Sequence, residues 1–175
     1  CVASNFRNIV LTSVTDVLNT DLEFADLTQS SADISASILR PNTAANVAAI
    51  NDATFGTTTG IRDVEFVQSG SGHAIEITSA GTYNFQDIVF TGFGGTPGSN
   101  ATPSSGATDA AIYNNSGGAV TINVNGSGNQ PSVRNAASST TTVAQTVTVT
   151  IKAVDTSGTA IAGAAVFLEE SPGGT

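Results

Sequence analysis

The chain has 175 residues, of which only 11% are charged, and its 14 acidic side chains outnumber the 5 basic ones to give a net charge of −9. Soluble domains usually carry about 25% charged residues, so this composition argues against charged helix surfaces and favours strands and tight turns. The negative charge repels phosphate backbones and anionic lipid, which argues against nucleic acid or a membrane surface as partner, and no run of about 18 apolar residues could span a membrane.

A short motif recurs along the first ninety residues: Asp or Asn, an apolar residue, any residue, and then Phe or Leu. Its copies are Asn8-Ile9-Val10-Leu11, Asp21-Leu22-Glu23-Phe24, Asp52-Ala53-Thr54-Phe55, Asp63-Val64-Glu65-Phe66 and Asp87-Ile88-Val89-Phe90. Each copy alternates apolar and polar positions, as a strand with one buried face does. The motif predicts stacked strands with an apolar ladder and an acidic turn corner, whose carboxylates would be hydrogen-bonded to turn amides. The ladder would consist of Phe24, Phe55, Phe66 and Phe90, and the corner of Asp21, Asp52, Asp63 and Asp87.

The stretch between the second and third copies is less regular. Residues 28–50 place Ile34, Ile38 and Leu39 ahead of Pro41, a spacing that also suits a short helix, and residues 44–50 tolerate a helix as well. Strand and helix both remain open for this stretch.

Two spacings indicate a longer repeat. Asp63 and Asp87 lie 24 residues apart, whereas residues 73–76 match residues 110–113, and residues 79–85 match residues 116–122, at a distance of 37. The difference of 13 is the length of residues 94–106 (GGTPGSNATPSSG), which read as a Gly-, Pro- and Ser-rich loop. A repeat of about 24 residues with one surface insertion explains both spacings. That length suits one turn of a parallel β-helix, so we predict an all-β fold with a β-helix-like solenoid at residues 1–135.

A different rhythm begins after residues 136–142, a polar segment that we predict to be a linker. Residues 147–152 alternate strictly, residues 155–158 (DTSG) read as a turn, and residues 161–168 give a second strand. The segment TVTVTIKAVDTSGTAIAGAAVFLEE resembles the opening hairpin of immunoglobulin-like modules of the carboxypeptidase-regulatory or bacterial surface-repeat type. The resemblance implies that residues 143–175 are the start of an immunoglobulin-like β-sandwich, since a full one needs roughly 100 residues.

The segments GIRDVEFVQSGSGHAIEI and AAIYNNSGGAVTINV resemble virion and tail-associated structural proteins of tailed bacteriophages. Such proteins commonly combine β-helical stretches with immunoglobulin-like modules. The resemblance implies an extracellular protein of a virion or cell-surface appendage.

The sequence offers little catalytic chemistry. His73 is the only histidine, and beside Gly72 we predict that it lies in a turn or at the edge of a repeat. Without a second His or a nearby Cys it lacks partners for zinc. No G-x-S-x-G elbow accompanies it, and Ser71 is interpreted as a turn residue.

Carboxylates are the remaining catalytic option. In an extended strand Asp63 and Glu65 would face the same side about 6.5–7 Å apart, a separation that suits an inverting glycosidase. The corner motif already explains Asp63 structurally, and five basic residues are few for a polysaccharide lyase. Calcium between Asp52, Asp63 and Asp87 is a second option, but the dense acidic calcium-loop signatures are absent.

Three N-x-S/T sequons, at Asn100, Asn114 and Asn125, are readily explained by chance in a chain so rich in Asn, Ser and Thr.

From the sequence we therefore predict no catalytic, metal or cofactor-binding residues and no cofactor. The favoured function is a non-enzymatic structural component of an extracellular assembly, a bacteriophage virion, tail or surface-filament protein that associates with itself or with other structural subunits. The alternative is a cell-surface glycan-binding module that uses residues 94–106, or Tyr83 and Tyr113, which are predicted to lie near equivalent repeat positions. Deletion of residues 94–106 should then harm only a binding protein. A polysaccharide-cleaving enzyme based on Asp63 and Glu65 is the least favoured reading.

Overall fold

The computed structural model describes residues 3–6, 9–11, 16–18, 21–24, 27–29, 33–41, 50–51, 61–145 and 152–165, with side chains at residues 34–41, 61–145 and 152–165. Within these residues the chain is all-β, because every regular element is a strand and none is a helix. The strands are β1 (Ala3–Phe6), β2 (Ile9–Leu11), β3 (Asp16–Leu18), β4 (Asp21–Phe24), β5 (Leu27–Gln29), β6 (Asp33–Ser35), β7 (Ser37–Pro41), β8 (Ile50–Asn51), β9 (Val64–Val67), β10 (Ile75–Ile77), β11 (Gly81–Gln86), β12 (Ile88–Thr91), β13 (Ile112–Asn114), β14 (Ala119–Asn125), β15 (Val133–Asn135) and β16 (Thr140–Gln145).

Most strands belong to three sheets in which all neighbours are parallel. Sheet I has the order β1-β4-β7-β9-β12, sheet II the order β2-β5-β8-β10-β13-β15 and sheet III the order β11-β14-β16, while β3 and β6 form a separate parallel pair. The chain visits the sheets in turn, so that β9, β10 and β11 are followed by β12, β13 and β14, one in each sheet. Neighbouring strands of a sheet therefore lie about one repeat apart in sequence.

The registers of sheets I and II confirm the two predicted spacings. Val64 pairs with Ile88, 24 residues later, and Ile75 pairs with Ile112, 37 residues later. The additional residues lie in the long connection between β12 and β13, where the insertion is predicted.

In sheet III the predicted alignment is wrong by two residues. Gly81 pairs with Val120, a spacing of 39 and not 37. The reason is the length of the preceding turn: three residues separate Ile77 from Gly81, whereas five separate Asn114 from Val120.

Alternate side chains of the three sheets are buried in one apolar core. Strands β9, β12 and β14 follow the strict alternation of buried and more exposed positions expected of strands with one buried face. Phe66 and Phe90 stack in neighbouring strands with ring centroids 5.4 Å apart and planes 10° apart. Since burial of a large apolar side chain contributes about 1.5–3 kcal/mol, these ladders are a main source of stability. The largest fully buried side chains are Phe66, Phe85, Ile34, Leu39, Ile61, Ile75, Ile88, Ile112 and Ile122.

The predicted aromatic ladder is correct only for its last two members. Phe66 pairs with Phe90 and with Leu39, whereas Phe24 pairs with Pro41, so Phe24 lies outside the register of Phe66. The strands here repeat after 17 residues (Leu22 to Leu39) and next after 27 (Leu39 to Phe66), so equal motif letters do not reach equal positions. Phe55 lies outside the described residues.

The first motif copy is also misplaced. Ile9–Leu11 form β2 of sheet II, whereas the copies at residues 21–24, 63–66 and 87–90 contribute β4, β9 and β12 to sheet I. Of the helix-or-strand segment, residues 27–29, 33–35 and 37–41 are strands, and residues 42–49 lie outside the described part.

Residues 97–105, inside the predicted surface loop, cover the last strands of sheets II and III. Asn100 and Thr141 exchange backbone N–H···O bonds of 2.9 Å, and the Asn135 amide donates to the Ser105 carbonyl at 2.8 Å. These outward groups of β15 and β16 would otherwise be free to pair with a further strand. The loop is thus part of the fold, so the expectation that its deletion harms only a binding protein is wrong.

Asn129 plays the same part for sheet I. Its Oδ1 accepts from the Phe90 amide at 2.8 Å, and its Nδ2 donates to the Phe90 carbonyl at 2.9 Å. The side-chain amide thereby occupies the place of a neighbouring strand. We call residues 97–105 and Asn129 the end cap.

The predicted linker is wrong at its C-terminal part. Thr140–Gln145 form β16, which pairs in parallel with β14, and Thr141 and Val143 are buried. Beyond it, Val154 and Ala160 form an antiparallel bridge around residues 155–158, which confirms the predicted turn. Residues 147–151 and 166–168 of the flanking strand predictions lie outside the described residues, and residues 162–163 form a turn in place of the expected strand.

Candidate functional site

The turns that precede the strands of sheet I carry the acidic side chains that the motif singles out. Asp63 and Asp87 directly precede β9 and β12 with φ of +49° and +53°, and Ala36 and Gly126 adopt the same left-handed conformation at +47° and +68°. Asp and Gly tolerate this conformation better than most residues. We call these four residues the Asp corner. The predicted acidic corner is confirmed for Asp63 and Asp87.

The other two predicted corner residues do not join it. Asp21 lies inside β4, where it pairs with Ile38, because the short early repeat shifts its motif copy. Asp52 lies outside the described residues.

Asp87 caps the next turn of the Asp corner. Its Oδ1 accepts hydrogen bonds from the Ser127 amide at 2.7 Å and the Ser127 hydroxyl at 3.0 Å, and its Oδ2 accepts from Gln86 Nε2. The bonds from Gln86 and Ser127 stabilise the carboxylate and lower the pKa of Asp87 below its usual value. The predicted bonding of a corner Asp to a turn amide is therefore present.

Asp63 and Glu65 do not lie on one face of an extended strand. β9 begins at Val64, and Asp63 is in the left-handed corner, so the predicted separation based on strand geometry does not apply. Both side chains line a shallow groove of about 240 Å³ together with Asp87. Glu65 Oε1 accepts from Thr91 Oγ1 at 2.8 Å, a bond between neighbouring strands.

The carboxylates of the Asp corner do not converge as calcium requires. Among the residues that the structure describes, no group of three or more His, Cys, Asp or Glu could hold a metal ion. Both oxygens of Asp87 already accept hydrogen bonds, and calcium prefers six to eight oxygen ligands.

His73 lies directly before β10, at the edge position predicted, but its ring is fully buried. Nδ1 lies 2.7 Å from the Ala110 carbonyl, an acceptor, so Nδ1 carries the proton and Nε2 is the acceptor. Burial is the main cause that lowers the pKa of His73, and the positive charge of Arg134 acts in the same direction, against the Ala110 hydrogen bond and Asp109. The ring is therefore neutral at pH 7.

Three side chains from successive strands stack beside this histidine. Tyr113 and Arg134 are register neighbours in β13 and β15. The His73 and Tyr113 rings have centroids 5.1 Å apart and planes 20° apart, and Arg134 Cζ lies 5.2 Å from the Tyr113 centroid. Arg134 Nη1 also lies 3.5 Å from His73 Nε2. The sequence aligned His73 with Ala110 but did not place Arg134 near it, because the spacing from β13 to β15 was not recognised.

A second corner, between sheets II and III, is lined by buried amides. Asn114 and Asn135 are register neighbours and are 0% and 2% exposed. Asn114 Nδ2 donates to Thr140 O and Thr141 Oγ1, each at 3.0 Å, and Thr141 Oγ1 donates to Asn135 Oδ1 at 2.8 Å. We call Asn114, Asn135 and Thr141 the Asn corner. Asn114, noted in the sequence as a sequon, is thus a core residue.

The two tyrosines of the glycan-binding alternative do not lie at equivalent positions. Tyr83 is in sheet III, where it pairs with Ile122, and Tyr113 is in sheet II, where it pairs with Glu76. The Tyr83 hydroxyl donates to the Ser79 carbonyl at 2.7 Å.

Comparison of the chain with protein-family models, with curated proteins and with solved structures finds no match. No helix in the described part of the chain is long and apolar enough to cross a membrane.

Proposed function

We propose that residues 3–145 form a parallel β-helix-like solenoid and that the chain is a non-enzymatic structural component of an extracellular assembly, such as a bacteriophage virion, tail or surface filament. The observation that carries this proposal is the repeated cycle through three parallel sheets around one apolar core. Each turn of such a fold depends on its neighbours for burial, which suits a rigid shaft. The bacteriophage part of the proposal rests on the sequence resemblance of residues 60–77 and 110–124.

The use of the polar side chains supports a structural role. His73, Asp87 and Asn114 each hold a turn or a neighbouring strand through the hydrogen bonds described above. Within the described residues, every buried side-chain nitrogen or oxygen has a hydrogen-bond partner. Such a satisfied network stabilises one fold and leaves no buried polar group in reserve for a substrate.

We further propose that residues 143–175 contribute to an immunoglobulin-like β module. The antiparallel bridge between Val154 and Ala160 supports this, as does Asp155, whose Oδ1 accepts from the amides of Ser157 and Thr159 at 2.9 Å each.

The end cap restricts how such a solenoid would self-associate. It occupies the outward groups of β12, β15 and β16 at one end, whereas β1 and β2 are the edge strands of sheets I and II at the other. Subunits would therefore associate through this first edge or through the outer faces of the sheets, and not by stacking on the capped end.

The parallel register can be tested by disulfide trapping in a Cys1→Ser background. Asn84 and Asn123 are register neighbours whose side chains are hydrogen-bonded at 2.9 Å. Asn84→Cys with Asn123→Cys should oxidise readily, since cysteines bridge when their Cα atoms are about 4.4–6.8 Å apart. The matched control, Asn84→Cys with Thr121→Cys, is two residues out of register and should remain reduced. Equal oxidation of both pairs would contradict the proposed solenoid.

Light scattering after size exclusion, over a range of protein concentrations and with and without SDS, tests the assembly role. A discrete multimer or a filament supports a structural component that associates with itself. A monomer at every concentration would overturn self-association.

The two other functions have less support. The loop proposed for glycan binding is part of the end cap, and Tyr83 and Tyr113 are on different sheets. The enzyme proposal loses the strand geometry that motivated Asp63 and Glu65. Catalysis would be demonstrated by polysaccharide cleavage that Asp63→Asn with Glu65→Gln abolishes, and we expect no cleavage.

A further inference from the structure

An open groove lies on the outer face of sheet II, beside the end cap. Its floor is formed by Tyr113 and Arg134, and one wall is formed by Ser104, Gly106 and Thr108 of the long connection between β12 and β13. The groove has a volume of about 310 Å³, at the low end of the range of about 300–1,000 Å³ for small-molecule sites. Neither the structural role proposed above nor the predicted sites involve it.

Arg134 is held in a fixed position at this groove. The Tyr113 ring supports its guanidinium through the cation–π contact at 5.2 Å, and Nη1 points towards the unprotonated Nε2 of His73 at 3.5 Å. Both neighbours are neutral. They orient the guanidinium without neutralising its charge.

The charge of Arg134 has no internal partner. Among the described residues, no carboxylate forms an ion pair with Arg134, although the chain carries 14 acidic residues against 5 basic ones. Asp109 lies near enough to His73 to raise its pKa but not within ion-pair distance of Arg134. A half-buried guanidinium has five N–H donors, and its two contacts leave most of them available at the groove.

The wall of the groove supplies hydroxyl groups. Ser104 and Thr108 are exposed, and neither their hydroxyls nor that of Tyr113 have a hydrogen-bond partner among the described residues. One planar cation surrounded by free hydroxyls matches a ligand with one carboxylate and several hydroxyls, because guanidinium and carboxylate pair through two parallel hydrogen bonds.

We propose that this groove binds one carboxylate-bearing sugar residue, such as a uronate of an acidic polysaccharide. Arg134 holds the sugar carboxylate through both guanidinium nitrogens, and Tyr113, Ser104 and Thr108 hydrogen-bond to the ring hydroxyls. The orientation of Arg134 by Tyr113 and His73 reduces the ordering that binding requires.

The test is titration of the full chain with glucuronate, followed by NMR amide shifts and calorimetry at low salt. Glucose is the neutral control, and acetate and sulfate are the simple-anion controls. We expect saturable binding of glucuronate with shifts at residues 104–108 and 134, no binding of glucose, and at least about tenfold weaker binding of acetate and sulfate. Glucuronate binding that is absent, or that glucose, acetate or sulfate equals, would overturn the proposal.

Variants assign the binding to the groove. Arg134→Gln should weaken glucuronate binding about tenfold or more, Arg134→Lys should weaken it less, and Tyr113→Phe should weaken it a few-fold while the ring stays in place. Lys152→Gln removes one positive charge outside the groove and should leave the affinity unchanged. If Arg134→Gln does not fold, the Arg134→Lys and Tyr113→Phe results decide. Wild-type affinity in both, or equal losses in Lys152→Gln, would contradict the site.

Discussion

The two corners of the fold reach the same end, a tight turn between parallel sheets, by different physical means. The Asp corner is partly exposed and uses backbone conformation, with four stacked residues at positive φ and one carboxylate that caps a turn amide. The Asn corner is buried and uses side-chain amides that satisfy backbone carbonyls no water can reach. Because an unpaired group costs far more in the core than at the surface, the two corners should differ strongly in their sensitivity to substitution.

The largest effect is expected at the Asn corner. Asn114→Ala removes the donors to Thr140 and Thr141 and leaves buried acceptors without partners, so we expect a loss of about 2–4 kcal/mol in the free energy of unfolding. Denaturant unfolding measures this loss. The control Asn123→Ala removes an exposed strand amide that is bonded only to Asn84, and should change stability by no more than about 0.5 kcal/mol. Equal effects of the two substitutions would remove the distinction between the corners.

A pair of glycines, one from each corner region, separates backbone strain from contact. Gly126 of the Asp corner and Gly117 between β13 and β14 have nearly the same φ, +68° and +71°. A Cβ at residue 126 would lie 2.0 Å from Asp87 Oδ1, whereas a Cβ at residue 117 meets nothing within 4 Å. Both Ala variants should lose about 1–2 kcal/mol to left-handed strain, and Gly126→Ala should lose about 1 kcal/mol more because it displaces the Asp87 cap. Equal losses in chemical denaturation would show that the cap contributes nothing.

The smallest effect is expected from titration of Asp87. Its pKa is lower in the folded chain than in the unfolded chain, so it contributes stability above the unfolded pKa, and this contribution is lost as pH falls through the lowered folded pKa. Below about pH 4 the wild type should therefore lose stability more steeply than Asp87→Asn. The control is Asp155, whose pKa is lowered by hydrogen bonds from Ser157 and Thr159 in the exposed hairpin turn outside sheets I–III. Asp155→Asn should leave the acid unfolding of the core unchanged. Identical acid profiles for wild type and Asp87→Asn would contradict the capping role.

The sequence predicted the Asp corner better than the Asn corner for a physical reason. A residue at positive φ leaves a local signature, Asp or Gly directly before a strand, and the spacing of Asp63 and Asp87 gave the register of sheet I. The Asn corner depends on contacts between residues 21 or more positions apart, such as Asn114 with Asn135, and no local pattern distinguishes a buried Asn from a sequon that arises by chance. The groove beside Arg134 was missed for the same reason, since it exists only where β13, β15 and the long connection meet.

The role of the loop at residues 94–106 shows a limit of reading composition alone. Its Gly, Pro and Ser content correctly predicted irregular structure, but the same small residues allow it to lie against β15 and β16. Gly106, at φ +101°, is the clearest case, because a Cβ there would lie 2.3 Å from the Val133 carbonyl oxygen.

Amide hydrogen exchange at Asn135 and Thr141 most directly tests the central claim, that residues 97–105 close one end of the proposed solenoid. In the wild type both amides should exchange slowly, since they donate to Ser105 and Asn100. Gly106→Ala should speed their exchange, whereas Gly98→Ala, which has a similarly positive φ of +117° but meets only the Gln130 side chain at 3.5 Å, should have a smaller effect. The amide of Ile112, which donates to Ser132 inside sheet II, should stay protected in all three proteins. Exchange of Asn135 and Thr141 in the wild type as fast as that of exposed loop amides would contradict the account.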